Sequence, residues 1–144
     1  MNRRSTTGYC FLYNRNLISW NNILQYIVAL SSCEAEYMAL RDTIKEALYL
    51  FGILKWLKNE QLGISLPNII PILTDSKSTR KLAENPEFHK RSKHIDIAYH
   101  FIRECIREKK VKSVFIRTID QLADGFIKGL SKYKYDSFIE GLNL

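Results

Sequence analysis

Four acidic residues stand where a carboxylate could do more than solvate a surface. Glu34 and Glu36 fall two apart in "LSSCEAEYMAL", at the start of a helical pattern. Asp75 ends the apolar run "NIIPILTDS", and Asp124 sits in "DQLADGFIKGL" after the last strand-like run. Element ends project side chains from a rigid scaffold, and ligand groups of α/β sheets gather beyond strand C-termini. Carboxylates that converge repel one another strongly unless cations neutralise them. Mg2+ suits such a cluster, because it takes oxygen ligands and usually holds one or two carboxylates plus substrate phosphate. Two such ions roughly 4 Å apart can activate a water and stabilise a leaving oxygen in phosphodiester cleavage. Each residue also has an ordinary reading. Acidic residues in a first helical turn offset the helix dipole, and Asp75 could cap the helix that follows it. Spacing alone leaves both readings open.

Other reactive residue types offer less. Cys10, Cys33 and Cys105 form no CxxC and no even framework, which favours reduced, inert thiols and an intracellular setting, cytoplasmic or nuclear. His89, His94 and His100 are spaced five and six apart, so one helix would not turn all three to one face, and no cysteine pair flanks them for zinc. The chain has 144 residues, 46% of them hydrophobic and 26% charged, enough for one globular domain with a real core. Its net charge of +7 favours a polyanionic partner, with nucleic acid ahead of a membrane surface. No apolar run approaches the roughly 18 residues that cross a bilayer, and "MNRRSTTGYC" lacks the apolar core of a signal peptide.

The elements that would position the carboxylates follow from periodicity. "GYCFLYNRNLISW" predicts a hairpin, Tyr9 to Tyr13 and Leu17 to Trp20, turning at Asn14 to Asn16. "YIVAL", Tyr26 to Leu30, predicts a third short strand. Ser31 or Ser32 offers an N-cap to a long helix reaching about Lys58. Its apolar stripe, Ala35, Met38, Ala39, Ala47, Leu48, Phe51, Leu54 and Leu57, predicts a core face. The run 69–74 predicts a buried strand, and "SKSTRKLAEN" a short helix closed by Asn85-Pro86. Ser92 would cap a helix carrying Ile95, Tyr99, Ile102 and Ile106 on one face. "VKSVFIRT" predicts a strand, "DQLADGFIKGL" a helical turn or two, and "KYDSFIEGL" a closing helix. No repeat or linker divides the chain, so residues 1–144 form one α/β domain with a mixed sheet.

Four segments, "RRSTTGYCFLYNRNLISW", "VALSSCEAEYMAL", "LTDSKSTRKLAENPEFHKRSKHIDIAYHFIRE" and "TIDQLADGFIKGL", resemble the ribonuclease H domain of copia-type LTR retrotransposon Pol polyproteins. The likeness runs from about residue 3 to the C-terminus, with the segments in the family's order. It implies a ribonuclease H-like mixed sheet with flanking helices, cutting the RNA strand of RNA–DNA hybrids with a D-E-D-D carboxylate set and two Mg2+ ions. By motif, Glu36 in "AEYMAL" matches the family glutamate, Asp75 the aspartate of its "DS" step, and Asp124 that of its "AD" step. Glu34 then has no assigned chemistry, and Asp96 in "KHIDIAYH" competes with Asp124 for the last place.

The same resemblance implies a deficit. The family's first aspartate lies on a central strand upstream of the segment matching "NRRSTTGY", between the hairpin strand and the strand leading to Asp75. This chain begins past it, so a ribonuclease H-like domain lacking its N-terminal strand and inactive by itself is expected. An upstream reverse transcriptase segment or a separate chain would supply that strand. Ile23-Leu24 replace the family's usual lysines, and Ile127 a usual threonine. Arg3, Arg4, Ser76, Lys77, Arg80, Lys81, Lys90, Arg91 and Lys93 border the implied site and are expected to contact nucleic acid phosphates. The rival reading is a non-catalytic remnant or a small basic nucleic-acid-binding protein.

Overall fold

The computed structural model describes residues 4–60, 62–77 and 93–144. The helix expected in "SKSTRKLAEN", the Ser92 cap and His89 lie outside the described residues. An antiparallel hairpin opens the fold, β1 (Thr6–Tyr13) against β2 (Asn16–Leu24), with Thr6 opposite Leu24 and Cys10 opposite Trp20. The register shifts between Phe11 and Leu12, which marks a bulge just before the turn. Asn14 and Arg15 both have positive φ, 49° and 64°, the backbone of a type I′ turn whose twist matches the strands. Arginine is a poor occupant there, because its Cβ crowds the backbone. Arg15→Gly is therefore expected to stabilise the chain by up to about 1 kcal/mol, seen as a rise in Tm of roughly 4 °C. An unchanged or lower Tm would count against a type I′ turn.

The run "YIVAL" forms no strand, contrary to its β-branched composition. Gln25 turns inward and donates from Nε2 to Thr7 Oγ1 (3.1 Å) and to the Ala35 carbonyl (2.9 Å). That clamp leads the chain towards the next helix, with Tyr26 and Leu30 83% and 84% exposed. A β-prone run without a neighbouring edge to pair with does not become a strand.

Helix α1 (Ser32–Asn59) starts at Ser31, whose hydroxyl accepts from the Glu34 N–H (3.2 Å), while the Glu34 carboxylate accepts from the Leu30 N–H (2.7 Å). This is close to a capping box, and it commits Glu34 to the helix end. The core side of α1 carries Tyr37, Met38, Leu40, Ile44 and Ala47. Against it pack Ile72 of β3 (Ile70–Thr74), Val111 of β4 (Val111–Phe115), and Ile95, Ala98, Tyr99, Ile102 and Cys105 of α2 (Lys93–Arg107). β3 and β4 are parallel, Ile70 opposite Val111, and α2 lies in the crossover that parallel strands require. A 3₁₀ turn (Thr118–Asp120), the single-turn α3 (Asp124–Ile127) and α4 (Lys132–Gly141) complete the fold.

The expected single mixed sheet is instead two sheets of two strands, β1–β2 and β3–β4. Among the described residues no backbone bond joins β1 to β3. Part of the expected core stripe of α1 is redirected as a result. Ala35, Ala39, Phe51 and Leu54 face the space between the two sheets rather than the packed core. No helix among the described residues is long and apolar enough to cross a membrane.

A candidate carboxylate site between the two sheets

The space between the sheets is a cavity of about 650 Å³, and Glu36, Asp75 and Asp124 all line it. Three separate parts of the chain bring them there. Glu36 projects from the first turns of α1, which the Gln25 clamp ties to Thr7 at the start of β1. Asp75 follows the last residue of β3. Asp124 opens α3, which sits on β1 at Gly8, where a Cβ would come within 2.5 Å of Ile127 Cγ2 and 3.3 Å of the Ala123 carbonyl. Any larger residue at Gly8 would push α3, and Asp124 with it, off the strand. Gly125 is bare for a similar reason, since the Phe138 ring packs against its backbone. Phe126 meets Phe138 edge to face and Trp20 in a stack 5.3 Å apart, and its carbonyl accepts from Asn22 Nδ2.

Each carboxylate has a distinct environment, and all three are half-buried. Glu36 Oε2 accepts from Ser76 Oγ at 2.5 Å, so the residue after Asp75 orients the glutamate across from it. The Ser76 N–H donates to Thr74 Oγ1 at 3.1 Å, which fixes the turn leaving β3. Asp124 Oδ2 accepts from Lys128 Nζ at 2.6 Å, one helical turn on. Asp75 has no ion pair or side-chain hydrogen bond among the described residues. Among the described residues no three His, Cys, Asp or Glu side chains stand close enough to hold a metal ion. The donor chemistry, three hard carboxylate oxygens open to one cavity, still fits Mg2+.

Glu34 does not line this cavity, being held at the cap of α1, and neither does Asp96, in the first turn of α2. Lys128 and Gln121 are partners that motif reading overlooked. The i, i+4 spacing of Asp124 and Lys128 was a legible signal; Gln121, 3.5 Å from the Leu73 carbonyl, had none. Arg4, Lys77 and Lys93 are exposed, with Lys77 next to Ser76. Arg3, Arg80, Lys81, Lys90 and Arg91 lie outside the described residues. Cys10 lines the cavity, and burial pushes its thiol up, which favours the less reactive protonated form. Cys105 is buried in the core, and burial raises its thiol as well.

Over 135 residues, 94% of its length, the chain is 38% identical to the retrovirus-related Pol polyprotein from transposon TNT 1-94 of Nicotiana tabacum, of which it covers 10%. It is 37% identical over 134 residues, 93% of its length, to the retrovirus-related Pol polyproteins from transposons RE2 and RE1 of Arabidopsis thaliana, covering 9% of each. The chain thus spans about a tenth of the length of the curated relatives it matches. No family model matches it, and no solved structure matches it significantly.

Proposed function

We infer that this chain, whose relatives are retrovirus-related Pol polyproteins of transposons, is a ribonuclease H-type domain. Its substrate class is the RNA strand of RNA–DNA hybrids. The observation that carries this reading is that Glu36, Asp75 and Asp124, drawn from three distant segments, line one cavity. The motif resemblance of those same three residues supports it.

Glu36, Asp75 and Asp124 would hold Mg2+, which supplies charge neutralisation at the scissile phosphate and a more acidic water. Ser76 keeps Glu36 aimed into the cavity by its hydroxyl donation. Lys128 balances the charge of Asp124 until a cation replaces it. Lys77, exposed beside Ser76, would meet a backbone phosphate near the cut. The test is cleavage of a labelled hybrid in Mg2+ by the chain lengthened by an aspartate-bearing strand, with and without Asp75→Asn. RNA fragments that appear equally in both chains would sink the reading.

The positive charge also supports a binding function that needs no cleavage. If about three phosphates are contacted, affinity for a duplex should fall on the order of 40-fold between about 50 and 200 mM salt. A titration that finds no binding at low ionic strength would reduce the +7 charge to a solubility feature.

A further inference from the structure

We propose that the recess between the hairpin and α1 binds a flat, uncharged heteroaromatic amine, the chemistry of an aminated nucleobase, whose amino group donates to Gln25 Oε1. The inference goes beyond the nuclease reading and does not rest on it.

The recess has a volume of about 460 Å³, within the range of small-molecule sites. It runs beside a different stripe of α1 from the carboxylate cavity, the stripe of Met38, Arg41, Asp42 and Lys45, and shares only Tyr9 with that cavity. Two tethers fix its ends. At one, the Gln25 amide ties β2 to Thr7 and to the Ala35 carbonyl; at the other, Ser19 Oγ donates to Glu46 Oε1 at 2.7 Å. Between Ala35 and Glu46 the helix rises about 16 Å, which gives the recess its length.

The inner end carries the telling group. Gln25 is only 4% exposed. Its Nε2 commits both hydrogens, one to Thr7 Oγ1 and one to the Ala35 carbonyl. A carbonyl can only accept, so the orientation of the amide is fixed and Oε1 is the atom left over. That oxygen is buried and has no hydrogen-bond partner among the described residues. Gln25 lines this recess and not the carboxylate cavity. A buried acceptor in that state is costly, so a ligand N–H that reaches it gains more than an exposed contact would.

The rest of the lining narrows the ligand. Two residues from Thr7, on the same face of β1, the Tyr9 hydroxyl accepts from Asn21 Nδ2 at 3.2 Å, and its own hydrogen can go to a ligand acceptor. Ile23, Leu24 and Met38 supply apolar walls, and Tyr26, 83% exposed, a ring at the rim on which a flat molecule can stack. The charges cancel: Arg41 Nη2 pairs with Asp42 Oδ1 at 2.7 Å, and Lys45 is matched by Glu46. An ion therefore gains little here, whereas an uncharged ring with an amino group beside an acceptor nitrogen meets both Gln25 and Tyr9. A free nucleoside and a base swung out of a single strand share that chemistry.

Adenosine, titrated into the chain without metal and followed by amide NMR, should move the signals of Gln25, Asn21 and Met38 along a saturating curve. Purine riboside, which lacks the amino group, should bind at least about fivefold more weakly. Gln25→Leu would break the clamp, so Tyr26→Ala is the variant; affinity should fall several-fold at unchanged Tm, because that side chain lies on the surface. A short deoxyadenylate strand that moves the same signals at lower concentration names a base in a strand as the source, and the same signals from adenosine alone name a free nucleoside. Equal affinity for purine riboside, or no saturable shift at Gln25, leaves only water for Oε1 and overturns the site. A clear preference for adenosine 5′-monophosphate overturns the uncharged class. None of these outcomes bears on Mg2+ binding by Glu36, Asp75 and Asp124, which hybrid cleavage tests separately.

Discussion

Cleavage of a labelled RNA–DNA hybrid in Mg2+ is expected to be at least about a hundredfold slower in these 144 residues alone than in the chain lengthened by an aspartate-bearing strand. Two-metal hydrolysis requires the ions at a fixed spacing, so each carboxylate sets geometry as well as charge. In the present arrangement Glu36 is engaged by Ser76 and Asp124 by Lys128, and no three ligands converge among the described residues. On the proposed ribonuclease H-type reading, the added strand would bring a fourth carboxylate to the cavity that Glu36, Asp75 and Asp124 line. It would add a ligand and bring the two sheets into register. A displacement near 1 Å of the attacking water costs on the order of a hundredfold, which sets the size of the expected gap. Asp75→Asn in the lengthened chain should return the rate to the level of the short one. Fast cleavage by the short chain that Asp75→Asn abolishes would show that three carboxylates suffice. Slow cleavage by both chains, with the lengthened one folded, would turn the reading towards a non-catalytic nucleic-acid binder.

Ile102→Ala is expected to remove about 3 kcal/mol of stability, a large share of the roughly 5–15 kcal/mol of an ordinary domain. Ile102 is 0% exposed and sits where α2 packs on α1, among Ile44, Ile95 and Ala98. Among the described residues no strand lies between β1 and β3, and this helix–helix layer and the β3–β4 pair are the main packed core. A void left there has few neighbours able to relax into it, which is why the upper part of the truncation range applies less to exposed residues. Urea denaturation measures the effect as a lower midpoint at unchanged slope. Tyr49→Ala, on the exposed side of α1, is the control and should shift the midpoint little. Equal shifts in the two variants would mean that α1 and α2 do not form the core described.

Much of this protein is legible in a few neighbouring residues. Ser31 as the N-cap of α1 was legible, and the structure adds that Glu34 closes the same helix start by accepting from the Leu30 N–H. Asn14-Arg15 turns the hairpin, and the apolar run 69–74 makes a strand that ends just before Asp75, although only Ile72 of it is buried where a buried strand was expected. Glu36, Asp75 and Asp124 stand out in the sequence through the motifs that resemble the retrotransposon ribonuclease H family, whereas their places at element ends leave the ordinary reading open. Caps and turns are carried by local hydrogen bonds and need no distant partner.

Pairing and burial were decided only by the tertiary structure. "YIVAL" has strand composition but no edge beside it, so the Gln25 clamp prevails and the run stays irregular. The apolar stripe of α1 reads as one core face, yet it divides between the packed core and the floor of an open cavity. Two sheets stand where one was expected, because each strand's second edge must find a partner far along the chain. The position of Ser76 on Glu36 depends on the same assembly. Composition states how readily a segment can extend or coil, whereas a strand edge or a cavity exists only through the elements that meet around it.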